Sequence, residues 1–314
     1  MFVAMTGGDG PLGRALQKVL AARSIGFRTL VASEPPAEVA RVGEHLVGHD
    51  ADGDTVEALL EGAAVLLHLG HTMIAPADEF CQEELAAQAT LIPAAHERGI
   101  ELHYLSTSEV FSPRPKTAGQ PLTEDCPTEP ASPLGVAKLA WEQTLRIWTE
   151  HKGLHAVIYR VPTVVPEFLT YTHPCARYLR AGFKTGEIVP QAHEGGRWGM
   201  GFVHAEDVAR LIAGAIGGPE VFGQTFHVAT DRWLSEQELA EMSHLVLNDF
   251  MIPSKLRPAP DDAPTSPVGE VLLDSTKARK KLGLDTANSV PRLVSKLRVW
   301  IDDFGSTVRL PVAK

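Results

Sequence analysis

The chain has little cysteine, no run of basic residues and no long apolar stretch, and each shortage removes a class of protein. Its three cysteines, Cys81, Cys126 and Cys175, are widely spaced and form no Cys-x-x-Cys pair. That usage suits a reduced intracellular protein better than a disulfide framework. No apolar stretch reaches the ~18 residues of a membrane span, and the N-terminus lacks the basic and apolar regions of a secretory leader. The expectation is a cytoplasmic protein with no membrane contact. Lysine and arginine number 29 against 39 aspartate and glutamate, a net charge of -10. Without a basic patch to neutralise phosphates, no nucleic-acid partner is expected. His68 and His71 stand three apart but have no carboxylate or cysteine companion, and the other histidines form no ligand spacing, so no metal site is expected. Internal repeats and low-complexity tracts are absent as well.

What is present begins at once. The apolar run Phe2-Val3-Ala4-Met5 feeds Thr6-Gly7-Gly8-Asp9-Gly10-Pro11-Leu12-Gly13, which opens into Arg14-Ala15-Leu16-Gln17-Lys18-Val19-Leu20. This reads as a buried strand, a tight glycine turn and a helix. Gly7, Gly10 and Gly13 have a Gly-x-x-Gly-x-x-Gly spacing, one residue removed from the Gly-x-Gly-x-x-Gly fingerprint. One glycine permits positive φ, another a close approach of pyrophosphate, and the last a close helix-to-sheet contact. Pro11 suits the first helical turn, where its missing N–H has no intrahelical partner to lose. The free N–H groups at the helix start then receive phosphate.

Strand and helix signals alternate beyond the turn. Strands are expected at Phe2 to Thr6, Arg28 to Ser33, Glu44 to His49, Val65 to Gly70, Glu101 to Thr107, Ala156 to Pro162 and Thr225 to Ala229. Helices are expected at Pro11 to Ala22, Asp54 to Glu61, Asp78 to Arg98, Pro133 to Lys152 and Glu206 to Gly217. Such alternation implies an α/β fold, a Rossmann-type doubly wound parallel sheet covered on both faces. The segment Ser112 to Ser132, rich in Pro, Thr and Glu, reads as a surface loop. The expected division is a dinucleotide-binding unit of 1–165 and 202–230, with 166–201 and 231–314 as a smaller substrate-binding lobe.

These motifs together resemble the extended short-chain dehydrogenase/reductase family, the NAD-dependent epimerase/dehydratases. Besides the glycine turn, the resemblance rests on His49-Asp50, Val65-Leu66-Leu67-His68-Leu69, Ser106-Thr107-Ser108-Glu109-Val110-Phe111 and Glu124-x-x-Pro127-x-x-Pro130. It continues through Arg160-Val161-Pro162, Phe202-Val203-His204-Ala205-Glu206-Asp207-Val208 and Asp274-x-x-Lys277-Ala278-x-x-x-Leu282-Gly283. The resemblance implies cofactor contacts from Gly7, Gly10, Pro11, Leu12 and Gly13, from Asp50 at the adenine, and from Leu69. It implies substrate contacts from Ser108, Thr163, Tyr171 and Arg197, and a homodimer through the helices at 78–98 and 133–152. Trp141, Leu145 and Trp148 supply apolar area on the second of these helices.

One departure is chemical. The family's Tyr-x-x-x-Lys pairs a tyrosine acid/base with a lysine that holds the nicotinamide ribose, while a Ser or Thr orients the same substrate oxygen. Here the segment is Leu134-Gly135-Val136-Ala137-Lys138. Lys138 is kept and the tyrosine is not. Thr107 stands at the Ser/Thr position, and Glu109 and His71 are the candidate proton carriers, with Tyr171, His173 and Tyr178 on the lobe as further ones. At the end of the second strand the ribose position is Ser33, followed by Glu34 and no arginine. That favours NAD, with NADP as the alternative. Two readings of the whole stay open: an NAD(P)-dependent oxidoreductase or epimerase for a small sugar-like, polyol or carbonyl substrate, and an NAD(P)-binding regulator or scaffold without turnover.

Overall fold

In the computed structural model, which describes residues 1–33, 43–70, 77–112, 121–191, 199–258 and 271–304, alternate side chains along each central strand are buried on opposite faces. Val3 and Met5 join one apolar cluster and Ala4 the other, and Val157 and Tyr159 are separated from Ile158 in the same way. Burial on both faces is why these strands read as continuous apolar runs.

Seven strands make one parallel sheet: β1 (Phe2–Thr6), β2 (Gly26–Val31), β3 (Glu44–Val47), β4 (Val65–His68), β5 (Glu101–Thr107), β6 (Ala156–Val161) and β7 (Thr225–His227). Their spatial order is β7-β6-β5-β4-β1-β2-β3. The order reverses between β1 and β4, which opens a crevice at the carboxyl ends of those strands. One face is covered by α1 (Pro11–Ala22) and α6 (Ala205–Ala215), the other by α2 (Gly53–Leu60), α3 (Ala77–Glu97) and α4 (Pro133–Lys152).

A third apolar cluster lies among α5 (Arg177–Thr185), α7 (Glu236–Asp249) and α9 (Ser289–Phe304), with Leu179, Phe183, Leu239, Leu297 and Trp300 at its centre. Between α7 and α9, α8 (Thr276–Leu282) returns Ala278 to the sheet. Ser235 and Glu238 form a reciprocal capping box at the start of α7.

Several expected boundaries move for physical reasons. β2 occupies Gly26–Val31 because Gly26 to Leu30 pair residue for residue with Phe2 to Thr6. Ser33 therefore lies two residues past the strand, exposed. β4 stops at His68, and Gly70 turns away with φ +76°. The loop before α4 is not wholly superficial: Leu122 is buried and exchanges backbone hydrogen bonds of 2.8 Å with Leu272 and Asp274. Trp141 and Leu145 have no exposed surface and pack on the sheet, so the apolar area that α3 and α4 turn to solvent comes instead from Leu85, Val136 and Ile147.

Beneath the carboxyl ends of β5 and β6 lies a buried polar knot. Arg160 Nε and a terminal guanidinium nitrogen donate to the two Glu142 oxygens at 2.9 and 2.7 Å, and Ser106 Oγ donates to the same carboxylate at 2.6 Å. His227 bridges from Arg160 (3.4 Å) to the Leu122 carbonyl (2.9 Å), tying β7 to the loop before α4.

Candidate functional site

The glycine turn is packed too tightly for side chains. Gly7 has φ +67°, and a Cβ there would lie 2.5 Å from the Gly70 carbonyl oxygen. At Gly13 a Cβ would lie 2.3 Å from the Gly8 Cα, backbone against backbone. Helix α1 thus starts pressed onto the turn. Gly10 is its N-cap with no side-chain cap, and Pro11 follows. Its first-turn N–H groups are left to a ligand, where the helix dipole favours negative charge.

The turn forms one wall of a cleft of about 330 Å³ at the β1/β4 switch point, lined also by Ala32, His49, Asp50, Gly70 and Glu83. Asp50 is buried at its edge beside His49, and Leu69 is buried behind the turn with its N–H on the Thr6 carbonyl. A bare-backbone turn, an uncapped helix start and a buried carboxylate fit a dinucleotide. Among the described residues the lining carries no lysine or arginine. Arg28 is occupied by Glu44 and the carbonyls that end α2, and Arg14 by the Asp9 carbonyl. Neither is placed to hold a 2′-phosphate.

Next to this cleft the first turn of α4 meets the end of β5. Ser132 caps α4 by accepting from the Gly135 N–H at 3.0 Å, and its hydroxyl donates to the Glu109 carboxylate. Thr107 Oγ1 accepts from the Glu109 N–H at 3.2 Å, and Ser108 is buried between them. Thr107, Glu109 and half-buried Leu134 are thereby gathered around one helix start. Lys138, one turn further on, is buried and gives hydrogen bonds of 3.2 Å to both carboxylate oxygens of Glu84.

The four tyrosines of the chain are all committed elsewhere. Tyr104 is fully buried, and burial followed by the Glu84 charge pushes its phenol well above the ordinary range. Tyr159 is raised in the same way by burial. Burial and the hydrogen bond to Glu236 push Tyr178 up to about 12. Tyr171 stacks on Trp300 at 5.8 Å against the third apolar cluster. His173 caps the turn before α5 and bonds the Val164 carbonyl, with its pKa lowered by burial. Thr163 begins a short strand, Thr163–Val165, paired with Phe202–His204. His71 and Arg197 lie outside the described residues. Among the described residues no cluster of three or more metal-ligating side chains occurs, and no helix is long and apolar enough to cross a membrane.

Glu84 and Ser132 escaped the reading of the sequence. Glu84 had a signal: with Phe80, Ala87 and Leu91 it recurs at helical spacing on the buried face of α3, a charge where packing alone would place an apolar residue. Ser132 had the ordinary form of a helix cap, but its bond to Glu109 joins residues 23 apart and needed the fold.

Comparison with known proteins places this geometry. A model of the NAD dependent epimerase/dehydratase family matches residues 3–229. A dTDP-glucose 4,6-dehydratase of Mycobacterium tuberculosis is 27% identical over 81 residues, 26% of this chain and 24% of that protein. The match therefore spans about a quarter of that curated relative. Among solved structures, a short-chain dehydrogenase/reductase superfamily protein of Agrobacterium tumefaciens with bound NAD superposes with a TM-score of 0.80 at 20% identity, covering 98% of this chain and 99% of that one. DesIV, the dTDP-glucose 4,6-dehydratase of Streptomyces venezuelae, has a TM-score of 0.79 at 19% identity with 98% of each chain covered. At such identities the likeness speaks to the fold. The family match covers most of the chain and coincides with a cleft whose lining fits a dinucleotide, so the chain belongs to the NAD dependent epimerase/dehydratase family, with NAD as its cofactor.

Proposed function

We propose that this protein is an NAD-dependent oxidoreductase or epimerase that acts on a small sugar-like, polyol or carbonyl substrate and uses Glu109, in place of a tyrosine, as proton acceptor. The observation that carries this reading is the junction of β5 and α4. There Glu109, Thr107 and Ser132 are drawn together at the start of α4, whose second residue, Leu134, is the one that the resemblance sets in the tyrosine's place. NAD supplies a hydride acceptor. The chain supplies the rest: Thr107 to hold the substrate oxygen, Glu109 to take its proton, and Lys138 to hold the nicotinamide ribose. Residues 166–201 and 231–314 serve as the substrate cover, and Ser108, Thr163 and Arg197 are the candidate substrate contacts. Sugar-nucleotide enzymes among the similar proteins support a polyhydroxylated substrate.

The second reading, an NAD-binding protein without turnover, is favoured by Leu134 itself. A panel of nucleotide sugars, free sugars and polyols, assayed with NAD by absorbance and by product analysis, separates the two. Turnover in the parent that Glu109→Gln reduces by on the order of 10²-fold or more supports the enzyme, since positioned acid/base catalysis contributes that much. Turnover unaffected by Glu109→Gln discards the role of Glu109. A silent parent that gains activity with Leu134→Tyr supports the second reading.

A further inference from the structure

The Lys138–Glu84 pair is buried from both sides: Lys138 has 6% of its side chain exposed and Glu84 none. Trp141 Nε1 donates to the Glu84 carbonyl at 2.9 Å, locking α3 to α4 across the pair. Lys138 Nζ stands 5.2 Å from the centre of the Tyr104 ring, and a Cβ on Gly70 would come within 2.0 Å of it. Gly70 lines the cleft. The pair therefore lies directly behind the cleft wall that follows β4.

A buried ion pair gains little stability over an apolar pair of the same volume. Packing thus gives no reason for a carboxylate on this face of α3. Charge does. The nicotinamide ring is a cation when oxidised and neutral when reduced. A bare ammonium behind it disfavours the oxidised form, and an ammonium neutralised by a carboxylate does not.

We propose that Glu84 is a positioning residue that fixes Lys138 behind the nicotinamide half of the cleft and cancels its charge, so that oxidised cofactor binds without electrostatic penalty relative to reduced. The inference rests on NAD occupying this cleft and is independent of any role for Glu109.

The test is the ratio of dissociation constants for NAD+ and NADH, measured by titration calorimetry on full-length protein after circular dichroism melts establish that each variant is folded. Glu84→Gln keeps the shape and one acceptor while removing the charge. It is expected to raise the NAD+ to NADH ratio by on the order of tenfold, the effect of a unit charge across several ångströms at intermediate dielectric. Lys138→Gln leaves the opposite charge and is expected to lower the ratio, and the double variant is expected to return it to the parent value. A merely structural pair would change both constants together and leave the ratio fixed. An unchanged ratio in Glu84→Gln, or the same direction of change in both single variants, overturns the proposal. If Glu84→Gln does not fold, Lys138→Gln and the double variant decide: a lowered and then restored ratio supports it, and no change overturns it. A parent that binds neither form refutes the NAD cleft itself, and the proposal with it.

Discussion

Arg160→Met is the most exacting test of the framework behind the site. Arg160 and Glu142 have no exposed surface, and their bidentate bonds of 2.9 and 2.7 Å are the centre of the knot that holds the ends of β5, β6 and β7. Removing the guanidinium leaves a buried carboxylate with Ser106 Oγ at 2.6 Å and the partly exposed Arg146 at 3.2 Å. Breaking such a pair from one side costs about 3–5 kcal/mol, against a total stability of about 5–15 kcal/mol for a folded domain. At about 2–4 °C per kcal/mol for chains above small-domain size, the melting temperature should fall by about 10 °C. Replacing both partners, Arg160→Met with Glu142→Leu, removes the uncompensated charge and should recover most of that loss. Circular dichroism melts at pH 7 in low and high salt measure both effects, and a buried pair should respond little to salt. A single-variant loss below about 1 kcal/mol, or a double variant no more stable than the single, would refute the reasoning.

Three further expectations follow from particular contacts. Burial, and then the Arg160 guanidinium, pull the His227 pKa down to about 3, while in the unfolded chain it sits at about 6.5. Between those values the unfolded chain binds a proton that the folded one does not, so stability falls as pH drops from about 6.5 toward 3, by up to ~1.4 kcal/mol per pH unit. His227→Gln should flatten that slope in denaturant titrations from pH 7 to pH 4, and an unchanged slope would show that other groups dominate. Gly13→Ala puts a Cβ 2.3 Å from the Gly8 Cα; it should cost about 1–3 kcal/mol and lower NAD affinity by more than tenfold in a fluorescence titration. Retained affinity would mean the turn is not the cradle. Leu85, Val136 and Ile147, about half exposed on neighbouring helices α3 and α4, are proposed as a homodimer face. Leu85→Glu with Val136→Glu should then halve the mass seen by light scattering, and a parent that is already monomeric removes the face.

The parallel sheet and its glycine turn were legible because their information is local. The spacing of Gly7, Gly10 and Gly13, Pro11 at the helix start and the apolar runs of β1, β4 and β5 each reflect a constraint acting within a few residues. Expected bounds for β1, β5, α1 and α4 agree with the observed ones to the residue. β2 slipped by two residues because its register is set by β1, which no local pattern states. The third apolar cluster was not legible at all. Helices α5, α7 and α9 pack on one another across more than a hundred residues, and Tyr171 and Tyr178 find partners there that sequence proximity does not suggest.

By itself, the sequence determined the parallel sheet and the glycine turn that opens α1, and it put Leu134 where the resemblance expects a tyrosine. Each follows from residue type and spacing along the chain. Only the tertiary structure decided what stands near the start of α4. Glu109 is tied to Ser132 across the start of α4, all four tyrosines are held in other work, and Lys138 is paired with a carboxylate from α3, 54 residues earlier in the chain. Charge compensation is a matter of distance in space, and the distance from Glu84 to Lys138 is set by the packing of two helices on one face of the sheet.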